Sequence, residues 1–191
     1  VAGSEDNGQW VRAFIGLGSN AGDRLGFVQQ AMQLLKDHPH IEVVECSSLY
    51  ECEPVGHDYV EWFVNAVAAI ETDLPPQDLL KVCKEIEERL VSLAGEAAGA
   101  EVCRLPKGAP GKTKIIDLDI LFFGDTELKA GRLVVPHPLL AQRAYALVPL
   151  LEIAPDLMHP ILGKSITEMH EDLNAPEQVV LYGTRENCDL I

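Results

Sequence analysis

The run Ile115-Ile116-Asp117-Leu118-Asp119-Ile120-Leu121-Phe122-Phe123 constrains the fold of this chain more than any other segment. All but its two aspartates are large and apolar, so it reads as a strand buried on both faces. Strand side chains alternate, which points Asp117 and Asp119 the same way, about 7 Å apart along the chain. Two carboxylates on one face of a buried strand repel each other and lose hydration. A divalent cation removes both penalties, and oxygen-only ligands suit Mg²⁺. The competing reading is a strand end carrying two solvated acids.

Charge narrows the partners. Asp and Glu number 30 against 15 Lys and Arg, a net charge of -15. That balance argues against nonspecific nucleic-acid binding, which depends on neutralising phosphates. The cations are unevenly placed: Arg104, Lys107, Lys112, Lys114, Lys129, Arg132 and Arg143 are seven of the fifteen, within about a fifth of the chain. No acid lies between Lys107 and Ile116. Cations gathered around an Asp-x-Asp strand suit a polyphosphate, although a solvated basic loop accounts for them equally well. No apolar run approaches the ~18 residues of a membrane span, and no secretory signal is visible. Val1 to Gln9 reads as a disordered lead. The five cysteines (Cys46, Cys52, Cys83, Cys103, Cys188) form no Cys-x-x-Cys pair, which argues against a disulfide framework and structural zinc. A reducing cytoplasm is expected.

Length suggests one domain. Trp10 to Leu17 reads as a strand, Gly16 to Gly22 as a turn, and Asp23 as the N-cap of a helix to about Lys36. Ile41 to Leu49 predicts a second strand, Glu51 to Tyr59 a loop, and Trp62 to Thr72 a third strand. Pro75-Pro76 opens a helix to about Leu90. Ser92 to Thr113, rich in Ala, Gly and Pro, predicts a long mobile loop, and Lys114 to Phe123 the fourth strand. Gly124-Asp125 and Gly131 suggest a short hairpin into Arg132–Val135. A helix over Pro138 to Leu151, interrupted at Pro149, a short helix over Ser165 to Leu173 and a strand at Val179 to Tyr182 complete the pattern. The order β-α-β-β-α-β is that of a ferredoxin-like α+β sandwich, a mostly antiparallel sheet covered by helices on one face, with extra C-terminal elements.

Three clusters carry candidate chemistry. Gly-x-Gly-x-x-x-Gly from Gly16 has the wrong spacing for a dinucleotide fingerprint and reads as a structural turn. Asn65 sits in an otherwise apolar strand, where an unpaired amide costs about 1–3 kcal/mol. It is either a satisfied core amide or a reader of a heteroaromatic edge, with Phe63 as a stacking wall on the same face. His137 and Arg143 could hold phosphate oxygens, and Tyr145 could face an aromatic ligand.

The order of these clusters matters more than any one of them. Phe14-Ile15-Gly16-Leu17-Gly18-Ser19-Asn20, Ser47-Ser48-x-Tyr50-Glu51-x-Glu53-Pro54-Val55-Gly56, Phe63-x-Asn65-Ala66-Val67, Ile116-Asp117-Leu118-Asp119-Ile120-Leu121, Val135-Pro136-His137-Pro138 with Arg143, and Glu152-Ile153-Ala154-Pro155-Asp156-Leu157 follow one another. Together they resemble the 6-hydroxymethyl-7,8-dihydropterin pyrophosphokinases of folate synthesis, from Val11 to Leu173, leaving 1–10 and 174–191 as terminal extensions. The resemblance implies Mg²⁺-dependent transfer of pyrophosphate from ATP to the pterin hydroxymethyl oxygen, releasing AMP. It implies two Mg²⁺ held by Asp117 and Asp119, which with Arg143 form the catalytic set. Cys52, Val55, Gly56, Phe63, Asn65 and Tyr145 would line the pterin pocket. Glu87, Lys114, Ile120, Arg132, His137 and Arg143 would meet ATP. A cytoplasmic monomer with small-molecule substrates, and neither nucleic acid nor membrane as partner, is expected.

One stretch departs from the family pattern. Between the second helix and the aspartate strand, the family shows Gly-Arg-x-Arg, then Trp and Pro-Arg. Here Leu93 to Lys114 is longer, lacks Trp, and keeps Arg104 as its one arginine, with Lys114 in place of the last. Lysine lacks the bidentate fork of arginine. The departure motivates an alternative, a non-catalytic pterin or nucleotide binder descended from the enzymes. The 92–113 loop is expected to close over ATP as a lid.

Overall fold

The structure, a computed structural model, describes residues 9–55, 61–97 and 113–184. Strand β1 (Val11–Ser19) lies between β4 (Phe63–Thr72) and β5 (Asp117–Phe123), antiparallel to both. β2 (Ile41–Cys46) and β3 (Leu49–Cys52) pair along β4, and β10 (Val179–Gly183) adds to the outer side of β3. Helices α1 (Arg24–Lys36) and α2 (Pro76–Ala97) complete the β-α-β-β-α-β order. The hairpin β6 (Leu128–Ala130) and β7 (Leu133–Val135) follows, then α3 (Ala144–Ile153), the short pair β8 (Met158–His159) and β9 (Lys164–Ser165), and α4 (Ile166–Glu171).

Side-chain periodicity sorts the core into two layers. Ala13, Ile15 and Leu17 of β1 face α1 and α2, where Val28, Met32, Leu35, Leu79, Cys83 and Leu90 bury against them. Each such burial contributes about 1.5–3 kcal/mol relative to exposure. Phe14 faces the other side with Val67, Ala69 and Phe122, under Leu147 and Leu150 of α3 and Ile166 and Met169 of α4. Asp23 caps α1 by accepting from the Gly26 N–H at 3.0 Å. Ser165 and Glu168 form a reciprocal capping box on α4.

β5 does not alternate strictly. Phe14 pairs with Phe122 but Ile15 with Ile120, so Leu121 is an extra residue in the ladder. At this bulge Leu121 and Phe122 face the same layer in succession. Asp117, Asp119 and Leu121 then share one face, while Leu118 and Ile120 fill the helix-side core.

Several expected boundaries move. β1 runs through Gly16 and Gly18 to Ser19, so neither glycine belongs to a turn. The second strand breaks at Ser47-Ser48, and the predicted loop from Glu51 begins as β3. α2 continues seven residues past Leu90 to Ala97, which takes part of the expected 92–113 loop; residues 98–112 lie outside the described residues. Lys114–Ile116 precede the strand. Pro149 sits inside α3 without interrupting it, since Leu147 and Leu150 on either side are fully buried and hold the helix to the sheet. Helices cover both faces and not one, because α3 and α4 roof part of the second face.

Candidate active site

A cleft opens on the α3 face, at the end of the sheet where β1 finishes and β4 and β5 begin. Strand register builds it. Gly18 pairs with Asn65 on one side and with Asp117 on the other, and Gly16 pairs with Val67 and Asp119. Two glycines at a spacing of two leave a strip of β1 with no side chain on that face. A Cβ added to Gly18 would lie 2.6 Å from Asn65 Oδ1, so the amide occupies the space a side chain would need. Asn65 and Asp117 stand two strands apart, about 10 Å across this bare floor.

The acidic end is tightly arranged. Lys114 Nζ meets Asp117 Oδ2 at 2.5 Å. The Lys114 N–H donates to Asn20 Oδ1 at 2.6 Å, and its carbonyl accepts from the Asn20 N–H at 3.0 Å, so the Asn20 that follows β1 holds the approach to β5. Burial raises the Asp119 carboxyl above its ordinary range, and Asp117 beside it raises it further, against the opposing pull of His137 and Lys114. His137 is tied to β5 through its N–H, which donates to the Leu121 carbonyl at 3.0 Å. Its Nδ1 accepts from the Leu139 N–H at 3.3 Å, which assigns the ring proton to Nε2. Arg143, N-cap of α3, lines the cleft, and its buried Nε has no hydrogen-bond partner among the described residues. A buried donor of this kind calls for an anionic oxygen.

The opposite end is neutral and partly aromatic. Phe63, Asn65, Cys52, Val55 and Tyr145 line it. Burial pushes the Cys52 thiol up to about 12, so it stays protonated, and its Sγ donates to the Tyr50 carbonyl at 3.7 Å. Burial likewise pushes the Tyr145 phenol up to about 12. The Tyr145 N–H, at the start of α3, donates to Glu177 Oε1 at 3.0 Å.

The cleft therefore gathers Asp117, Asp119, Lys114, His137, Arg143, Cys52, Val55, Phe63, Asn65 and Tyr145 from the sequence-predicted set. Three others lie elsewhere. The Ile120 side chain packs in the helix-side core, because the alternation that turns Asp119 toward the cleft turns Ile120 away. Arg132 is exposed at the β6–β7 turn. Glu87 stands behind β5 on α2, accepting from the Leu118 N–H and from Lys84 Nζ, both at 2.7 Å, and burial raises its carboxyl. Gly56 lies outside the described residues. Sequence reasoning missed the floor itself, although Gly-x-Gly inside a strand puts both glycines on one face. It also missed Glu177, which no local pattern connects to α3.

The donor set fits Mg²⁺. Asp117 and Asp119 offer carboxylate oxygens on one face, and no cluster of three or more His, Cys, Asp or Glu suited to a metal occurs among the described residues. A cation held by two carboxylates must complete its shell with water or substrate phosphate, as Mg²⁺ commonly does.

An acidic pair facing an arginine with a buried Nε, with an amide across a bare floor, defines a small-molecule phosphotransferase on an α+β sandwich. Residues 14–155 match the family described as 7,8-dihydro-6-hydroxymethylpterin-pyrophosphokinase (HPPK). The 2-amino-4-hydroxy-6-hydroxymethyldihydropteridine pyrophosphokinase of Methylorubrum extorquens is 38% identical over 158 residues, 83% of this chain and 90% of the relative. The protein of the same name from Bacillus subtilis is 38% identical over 141 residues, 74% of this chain and 77% of the relative. The crystal structure of a Plasmodium falciparum HPPK-DHPS triple mutant with pteroate shares the fold, with a TM-score of 0.62 at 18% identity. That match covers 88% of this chain, which spans 44% of the longer one. The chain belongs to the HPPK family, the pyrophosphate-transferring enzymes of folate biosynthesis.

Proposed function

We propose that this chain transfers pyrophosphate from ATP to the hydroxymethyl oxygen of 6-hydroxymethyl-7,8-dihydropterin. A bond forms between that oxygen and the β-phosphorus, the bond from the β-phosphorus to the α,β-bridging oxygen breaks, AMP leaves, and the hydroxyl proton is released. The observation that carries this reading is the row Asn65–Gly18–Asp117, which sets an amide and an acidic pair about 10 Å apart across a side-chain-free floor. A bicyclic heteroaromatic lying on that floor offers its polar edge to Asn65 and its hydroxymethyl arm to the aspartates. Phe63 and Tyr145 flank the rings.

Asp117 and Asp119 would hold two Mg²⁺ ions together with the triphosphate. Bound Mg²⁺ supplies neutralisation of phosphate charge. Arg143 donates its partnerless Nε to a phosphate oxygen, and His137 donates Nε2–H. Lys114, already against Asp117, adds positive charge at the same end. Preorganised donors of this kind stabilise charge that develops on the leaving oxygen. The assignment omits Ile120 and Arg132, whose side chains do not line the cleft. Among the described residues no helix is long and apolar enough to cross a membrane. A monomer working in the cytoplasm accords with the reading. Nothing in the described cleft favours a non-catalytic binder.

The test is AMP formation from ATP, Mg²⁺ and the hydroxymethyl-dihydropterin. Asp117→Ala and Asp119→Ala are each expected to lower kcat by about a hundredfold or more. Wild-type protein that forms no AMP, or alanine variants that match it, would overturn the proposal.

A further inference from the structure

The Glu152-Ile153-Ala154-Pro155 segment takes no part in the chemistry above, yet the Glu152 carboxylate accepts three hydrogen bonds. Oε2 accepts from the Ser48 N–H at 2.7 Å and from the Tyr50 hydroxyl at 3.0 Å, and Oε1 accepts from Ser48 Oγ at 2.8 Å. Glu152 is the second-last residue of α3, the end at which the helix dipole disfavours an anion. Helix stability therefore does not explain its placement.

Two of the donors belong to Ser48, in the link between β2 and β3, and the third to Tyr50 of β3. The Ser47 N–H donates to the Val67 carbonyl at 2.9 Å, while Tyr50 pairs with Asn65. Three residues on one strand thus span two on the other, so one residue is surplus. The ladder is mended by Ser47 Oγ, which accepts from the Val67 N–H at 2.9 Å in place of a main-chain carbonyl. Beyond this link, β3 carries Cys52 to one wall of the cleft. Tyr145, near the start of α3, lines the facing side. α3 has its own anchors in Leu147 and Leu150, both fully buried. The four-residue β3 is buried only at its two ends, through Leu49 and the small Cys52, so it is the part that a missing tie would free.

We propose that Glu152 is a positioning residue that ties the β2–β3 link to α3 and thereby fixes the pterin-side wall of the cleft. The proposal rests on the reading of the cleft given above. Glu152→Gln keeps the shape but places an amide where a carboxylate oxygen accepted. The expected result is a KM for the pterin raised about tenfold, with the KM for ATP within about twofold and kcat within about threefold. Tyr50→Phe, which removes one of the three bonds and keeps the ring, shifts the pterin KM in the same direction by less. Amide hydrogen exchange over residues 48–52 is expected to quicken in both variants, while β1 exchanges as in wild type.

A pterin KM within about twofold of wild type, or equal rises in both KM values, would overturn the proposal, whatever the exchange shows. Should Glu152→Gln fail to fold, Tyr50→Phe and Ser48→Ala decide by the same criteria. Exchange needs no substrate. A wild type that forms no AMP therefore rejects the assigned reaction, while quickened exchange confined to 48–52 still supports the tie and unchanged exchange removes it.

Discussion

Gly18 and Asn65 form one device at the scale of the residue. The asparagine was recognisable in the sequence as a polar interruption of an apolar strand, and the aspartate pair as an acidic one. The glycine was not, because Gly-Ser-Asn reads locally as a turn and only the pairing of β1 with β4 shows what the missing Cβ makes room for. Gly18→Ala places a carbon 2.6 Å from Asn65 Oδ1 and must displace the amide. Losing hydrogen bonds worth about 1–3 kcal/mol raises the pterin KM by about five- to 150-fold, readable in steady-state assays with ATP saturating. Ile120 shows a different limit of the sequence. A motif match carried it into the ATP set, whereas strand alternation, already used for the aspartates, sends its side chain to the core.

At the scale of the element, alternation and capping made most of the sheet and α1 legible. What failed was non-local. β3 is too short to show a period, and it exists because β4 and β10 pair with it on both sides. α2 outruns its expected end because Ala94 still has a buried place beside Phe27 and Ile115. β10 lies beyond the span read from motifs, yet the segment leading into it supplies Glu177 to the first turn of α3, where a carboxylate suits the dipole. Glu177→Ala is expected to lower stability by about 1 kcal/mol, seen as a shifted urea midpoint at unchanged slope. Glu87 ties α2 to β5 at Leu118, between the two aspartates. Glu87→Ala removes a charge-assisted bond worth about 1.5–3 kcal/mol and is expected to weaken Mg²⁺-nucleotide binding in calorimetry by slackening the start of the strand.

Across the whole molecule, histidine burial couples stability to pH. His159 is buried beneath the second layer, edge-on to Phe122 at 5.7 Å, with Nδ1 accepting from the Leu162 N–H. Burial holds its pKa below 6.5. The folded state thus binds fewer protons than the unfolded chain once pH falls through 6.5, and stability drops until the folded-state pKa is passed. Tm is expected to decline between pH 7.5 and 5.5, and to decline less in His159→Gln. His38, also lowered by burial, contributes the same sign at the far end of α1, so the difference between the two proteins isolates His159. Composition and charge bore on the expected partners. They said nothing of the roof formed by α3 and α4, because an apolar helix face does not declare which side of a sheet it covers.

The bare strip of β1 has a bearing on inhibition. A compound seated on Gly16 and Gly18 leans on main chain, which point substitution alters only by adding bulk. At Gly18 that bulk displaces the amide on which substrate recognition itself is proposed to depend. Escape from such a compound by mutation at Gly18 would therefore sacrifice the natural substrate along with the drug.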